Sequence, residues 1–367
     1  MRILYDHQLF SLQDAGGGSR YYYELMHYLS TLNGVSTELV LGMTANVFPF
    51  RQLPPRKARI TACSAPLGPS MLRYALNEAL GNSLAAMRGT YDVYHPTHHR
   101  MMPLARARRI VVTHQDCIYE RYPVFRYAKQ VLREKKLLFA KADVIICISD
   151  SAKQDLLEFH HVSPAKTRVV HLGFAPLQRS PAAAQQLRER VKRDYVLYVG
   201  KRTVHKNFVR FLNAFCDAGL PQQLDLLLLG GGPLSPEESA LIAERKMRDT
   251  LILIPRVSDE MLAEAYAAAR LFVYPSLWEG FGIPPLEAMD AGCPVAASNQ
   301  SAIPEVCGDA PFYFDPEDEE SMQHTLLQAV EDGEARQRAI ARGREVVARY
   351  SWEKCGQATL DVYRECL

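Results

Sequence analysis

At 367 residues the chain is too long for one ordinary hydrophobic core, which predicts two domains. Its 48% apolar and 23% charged residues are those of a soluble globular protein, and no run reaches the roughly 20 apolar residues of a membrane-spanning helix. The net charge of +2 hides an asymmetry: residues 1–180 hold 23 Lys and Arg against 13 Asp and Glu, a balance of +10, and residues 181–367 balance to −8. A basic first half points to an anionic partner: phosphates, a nucleic acid or an acidic membrane face. No zinc finger, RNA-binding signature or aromatic-studded basic sheet is present, so no nucleic-acid partner is expected. The eight cysteines show no C-x-x-C pair or zinc-type spacing and read as reduced thiols of a cytoplasmic protein.

In chain order, "RILYD" reads as a strand rather than part of a signal peptide. A glycine loop follows, then a helix from Ser19, which is placed to cap it, and a strand "TELVL". A Pro- and Arg-rich stretch over 47–70 shows no regular pattern. Then come a helix near 71–88, strands "DVYHP" and "RIVVTH", a helix over 126–141, strand "DVIICIS", a helix from Ser151 and strand "TRVVHL". Residues 174–193, rich in Pro, Ala and charge, carry no strand pattern and read as a linker. The alternation then restarts: "YVLYVG", a helix over 207–218, "DLLLLG", a helix over 236–247, "TLILIP", a helix over 258–269, "LFVYPS", a helix over 285–291 and "PVAAS". Continuous apolar strands between amphipathic helices predict α/β domains with doubly wound parallel sheets. The predicted division is 1–173, linker 174–193, and 194–350, with two such domains facing a central cleft.

In open α/β sheets ligands sit beyond the carboxyl ends of the strands. After the first strand, Gly16, Gly17 and Gly18 allow close backbone approach and positive φ beside a helix start. After "YVLYVG", the loop "KRTVHKNF" places Lys201, Arg202 and Lys206 at a helix start. Cations there oppose the helix dipole, and a diphosphate would suit them. Gly231 and Gly232 form another close-approach turn, and Arg256-Val257 lie where backbone groups could read a base. After "LFVYPS", Glu279 precedes Gly280, Phe281, Gly282 and Ile283, whose amides can face a ligand. Pro284 or Pro285 starts a helix with Glu287 in its first turn, where a carboxylate also complements the dipole. Carboxylates bracketing free amides suit a nucleotide sugar, with hydroxyls around a diphosphate. No D-x-D is present, so a metal clamp on the diphosphate is not indicated.

Glu279 and Glu287, within "EGFGIPPLEAMDAGCPVAAS", make an E-x7-E motif. It resembles the signature of retaining GT-B glycosyltransferases of family 4. Five further segments resemble that family in order: "GGGSRYYYEL", "VVTHQD" with His114 and Asp116, "ICISDSAKQDLLEFHHVSPAKTRVVHLG", "YVGKRTVHKNF" and "YSWEKCGQATLDVY". The resemblance implies two Rossmann-like domains and a helix over about 351–367 crossing back to the first. It also implies transfer of a hexose, mannose-like or other, from a GDP- or UDP-linked donor to a glycan or lipid-linked hydroxyl, with retained configuration and no separate cofactor. In that reading Glu279 holds the sugar hydroxyls and Glu287 the donor ribose. Arg202 and Lys206 stabilise the departing phosphate, and His114 faces the sugar. Lys201 stands where many members carry their arginine, so which of Lys201 and Arg202 grips the diphosphate stays open. Two other classes remain at this point: a nucleotide-sugar epimerase and a silent nucleotide-sugar binding protein. The helix over 126–141, "RYAKQVLREKKLLFAK", mixes cations with an apolar face and suits either an ordinary surface or the inner face of an anionic membrane.

Overall fold

A computed structural model describes residues 1–14, 16–50, 53, 58–63, 70–87, 89–102, 104–125 and 127–367. They form two compact units, Met1–Gly173 with Tyr350–Leu367, and Phe174–Arg349. Much of the irregular stretch expected over 47–70 lies outside the described residues, as do Arg88 and Arg126 at the ends of two expected helices.

The first unit opens with β1 (Arg2–Tyr5), α1 (Gln8–Leu12), α2 (Gly17–Thr31), β2 (Ser36–Met43), β3 (Ala58–Cys63) and α3 (Ser70–Met87). It continues with β4 (Tyr91–His95), β5 (Ala107–His114), α4 (Ile118–Arg121), α5 (Ala128–Lys141), β6 (Val144–Cys147), α6 (Asp150–His160) and β7 (Thr167–Val169). The seven strands are ordered β3-β2-β1-β4-β5-β6-β7, with every neighbouring pair parallel. Strand β3 falls inside the stretch that showed no pattern in the sequence.

The second unit opens with α7 (Pro181–Arg190), β8 (Tyr195–Val199), α8 (Phe208–Asp217), β9 (Asp225–Leu229), α9 (Pro236–Glu244), β10 (Leu251–Ile254) and α10 (Asp259–Ala268). Then follow β11 (Leu271–Tyr274), α11 (Ile283–Asp290), β12 (Val295–Ser298), α12 (Ile303–Cys307), β13 (Phe312–Phe314), α13 (Glu319–Glu331) and α14 (Gly333–Val347). Its sheet is also parallel throughout, ordered β10-β9-β8-β11-β12-β13. Short strand β13 was not apparent in the sequence. Residues 181–190 of the expected linker form α7: Ser180 caps it, Pro181 opens it, and Arg179 forks onto Glu264 of α10 at 3.2 and 2.7 Å.

The apolar spacing explains the packing. In α8, Phe208, Phe211, Leu212 and Phe215 recur at helical intervals, all fully buried. They join Tyr198 of β8 and Leu226 and Leu228 of β9 in one core. Each such side chain contributes roughly 1.5–3 kcal/mol by leaving water. In α5, Val131, Leu138 and Phe139 are spent on the core and Lys135 is buried against Glu120, so the outward face keeps Lys129, Arg133, Lys136, Lys141 and the exposed Leu137. No helix among the described residues is long and apolar enough to cross a membrane.

The last helix, α15 (Trp352–Cys366), belongs to the first unit. Its Tyr363 hydroxyl lies 2.9 Å from that of Tyr5 and 2.6 Å from His95 Nδ1, inside a buried chain continuing through His95 Nε2 to Thr113. Gly356 allows the close approach: a Cβ there would lie 2.2 Å from the Tyr28 ring.

Candidate active site

In each sheet the chain leaves its first strand on one side and later returns to the other. The reversal falls between β1 and β4 in the first unit and between β8 and β11 in the second. Loops after two such strands diverge and leave a crevice, the usual place for a ligand.

In the second unit the crevice is spanned by an ion pair. Lys206, from the loop after β8, places Nζ 2.5 Å from Oε1 of Glu279, in the loop after β11. The two loops are also joined by Leu277 N–H donating to His205 O at 2.7 Å. Glu279 N–H donates to Ser301 Oγ at 3.0 Å, and Lys206 Nζ lies 5.5 Å from the centre of the Tyr274 ring. Glu279 is buried. Burial alone would raise its carboxyl pKa, but the Lys206 ammonium, with hydrogen bonds from Ser276 and Tyr274, outweighs it and holds the group below the usual carboxylate range. Burial, and then the Glu279 charge, push the Tyr274 phenol far upward. The result is an ionised carboxylate at a strand end, held through Oε1 by the ammonium. It is suited to accept hydrogen bonds from hydroxyls.

Downstream, Gly282 adopts φ 104° and leads into α11, which no side chain caps. Pro284 and Pro285 fill the first turn, where a helix has no acceptor for an N–H. Ile283 therefore carries the one N–H of that turn next to the loop amides. Phe281 is buried beneath the loop. Glu287 lies in the second turn of α11, not the first as expected, so dipole complementation does not account for it. Its Oε2 accepts from the Tyr266 hydroxyl at 3.1 Å. Arg256 is exposed and Val257 half-buried, immediately after β10.

Arg202 is not brought to Glu279. Its side chain is 3% exposed, and its Nε donates to Glu238 Oε1 at 2.9 Å. Lys201 beside it is exposed, and its ammonium has no partner among the described residues. Sequence reasoning missed Glu238 and Ser301. Both follow strands of the same sheet, β9 and β12, and that position is the signal that would have marked them.

His114 ends β5 in the first unit, with Thr97, His98, Gln13, Asp116 and Tyr119 around a hollow of about 180 Å³. It is 2% exposed. Burial, with Lys135 and His160 adding to it, pushes the imidazole pKa well below its usual value, so His114 is neutral. Of the N-terminal glycines only Gly16 has positive φ, at 148°. Gly17 and Gly18 are helical, the first residues of α2. Ser19 does not cap that helix; its N–H and hydroxyl both donate to Gln13 Oε1, at 3.2 and 2.9 Å.

Comparison with known proteins adds to this geometry. Residues 15–176 match the family described as Glycosyltransferase Family 4, and residues 180–346 match Glycosyl transferases group 1. The chain is 32% identical over 270 residues to the O-antigen chain mannosyltransferase B of Escherichia coli, covering 71% of each. It is 28% identical to the serotype-specific mannosyltransferase WbdA of Escherichia coli across 68% of this chain, and spans about a third (32%) of that longer relative. The structure of HepE from Anabaena, in complex with UDP and glucose, has the same fold: TM-score 0.77 at 17% identity, over 100% of both chains.

Proposed function

This chain belongs to glycosyltransferase family 4, and from that premise we propose that it transfers a hexose from a nucleoside-diphosphate sugar to a hydroxyl of a glycan or lipid-linked acceptor. The relatives above are named mannosyltransferases, which favours a mannose-like sugar on a GDP or UDP carrier. The observation that carries the reading is the Lys206–Glu279 pair spanning the strand-order reversal of the second unit. A nucleotide sugar offers hydroxyls to the carboxylate and phosphate oxygens to the ammonium's remaining N–H groups. Glu287 holds the donor ribose, Phe281, Gly282 and Ile283 supply backbone contacts, and the Arg256–Val257 loop meets the base.

As the bond between the anomeric carbon and the phosphate breaks, negative charge grows on the leaving diphosphate. Fixed cations of the loop after β8 stabilise it, with no metal required. The configuration at the anomeric carbon is retained, the departing phosphate accepting the acceptor's proton. The first unit takes the acceptor, with neutral His114 and the helix start at Gly17 and Gly18 among its contacts. The reaction takes place in the cytoplasm, with the cationic outer face of α5 resting on the inner membrane surface.

A thermal-shift panel of GDP, UDP, ADP and dTDP tests the donor class. A nucleotide at 100 times its dissociation constant stabilises by about 2.7 kcal/mol. Transfer of labelled hexose in the presence of EDTA, with the product's linkage read by NMR, tests metal independence and retention. Transfer undiminished in Glu279→Ala would remove this carboxylate from the mechanism.

A further inference from the structure

Beyond the ends of β8 and β9 lies an open hollow of about 670 Å³. Lys201, Arg202, Gly231, Gly232, Ser235 and Glu238 contribute to its lining. We infer that it is an anion cradle in which the two neighbouring cations have opposite tasks. Arg202 is a positioning residue built into the cradle's frame, and Lys201, with the amides of Gly231 and Gly232, meets the diphosphate. This rests on the donor reading above and divides labour that the family resemblance leaves undivided.

The frame comes first. Gly230, Gly231 and Gly232 have φ of 77°, 73° and 78°, three left-handed residues in succession. A chain so turned offers its carbonyls to neither a helix nor a strand ladder. Here the guanidinium collects them: Nη1 donates to Gly230 O at 3.5 Å, and Nη2 to Gly232 O at 3.2 Å and Pro233 O at 2.7 Å. The Nε–H goes to Glu238, so four of the five guanidinium N–H groups are engaged. Glu238 is itself fixed, because its Oε2 accepts from Ser235 N–H at 2.8 Å while its own N–H donates to Ser235 Oγ at 3.1 Å, the reciprocal cap of α9. The fit leaves no slack: a Cβ on Gly231 would lie 2.4 Å from Gly200 O and 2.8 Å from Arg202 Nη1. A guanidinium already shared among three carbonyls and a carboxylate has little left for a ligand.

The remaining groups are of one kind. The Gly231 and Gly232 N–H groups have no hydrogen-bond partner among the described residues, and neither does the Lys201 ammonium. A Cβ on Gly232 would meet nothing within 4 Å, so the backbone there is open to a ligand. All three groups are donors. A diphosphate is all acceptor and doubly anionic, and so complements them.

The test uses the full chain with GDP, UDP, GMP, UMP and inorganic pyrophosphate, followed by calorimetry, with melting recorded without ligand. Lys201→Ala should weaken diphosphate binding by about tenfold and leave monophosphates within about twofold, since one charge-assisted contact is lost. Its exposed side chain leaves the ligand-free melting temperature unchanged. Arg202→Lys and Glu238→Gln should each lower that temperature by several degrees, and the double variant no further than the worse single one. Tight pyrophosphate binding without nucleotide preference would place recognition in the phosphates alone and supports the cradle. An unchanged diphosphate-to-monophosphate ratio in Lys201→Ala overturns the proposal. So does an Arg202→Lys variant that melts like the wild type and loses the ratio. A wild type that binds no nucleotide sinks the donor reading instead, while the melting cycle still decides whether Arg202 is the frame.

Discussion

Removing Lys206 should reverse the direction of the Glu279 pKa shift and make the cost visible in pH. In the native chain the carboxyl pKa is depressed, so the pair's contribution is present above the unfolded carboxylate value and is lost as pH falls through the folded one. In Lys206→Met the attraction disappears and burial, the largest influence on the group, is opposed only by the Ser276 and Tyr274 hydrogen bonds, so the folded pKa is expected to rise above the unfolded value. The penalty is then full at neutral pH and relieved by protonation as pH falls. Removing one partner of a buried pair costs about 3–5 kcal/mol. The side chain of Lys206 is 23% exposed against 10% for Glu279, so the lower end, about 3 kcal/mol, applies. At roughly 2–4 °C per kcal/mol for a unit of this size, the melting temperature falls by about 6–12 °C at pH 7.5. The two tryptophans lie one in each unit, Trp278 in the second and Trp352 in the first. In a Trp352→Phe background, Trp278 fluorescence therefore follows the second unit alone. The deficit should shrink between pH 7.5 and 5, and Lys206→Met/Glu279→Gln should recover most of it. A deficit that is constant with pH, or grows on acidification, refutes the account of Glu279 as an ion held by Lys206.

Two predictions concern the first unit. His114 should show no titration between pH 5 and 8 in the imidazole NMR signals, because burial keeps it neutral; a midpoint near 6.5 would contradict its enclosed position. Gly356→Ala forces the Tyr28 ring away from α15 and should cost about 1–3 kcal/mol, read as faster proteolysis near the C-terminus. Wild-type resistance in that variant would show that the approach is not tight.

Much of this protein was legible before any coordinates. Each "VLYV" or "LLLL" run can be satisfied only as a strand covered on both faces, so two parallel α/β sheets followed from local pattern alone. Glu279, Lys206 and Gly282 stand out as site candidates in the sequence because each follows such a strand. Periodicity could not show β13, three residues long, or β3, set in Pro- and Arg-rich chain, because so short or atypical a strand exists only through its partner's hydrogen bonds. Nor could it distinguish the tasks of adjacent cations. Lys201 and Arg202 look equivalent in a row of letters; what separates them is Glu238, 36 positions further on, and three carbonyls that a left-handed glycine turn leaves in need of donors. Local sequence determines which elements form and which residues stand at their ends. Charge pairing and hydrogen-bond satisfaction act through space, and so only the folded chain decided which cation is spent on the protein and which is left exposed.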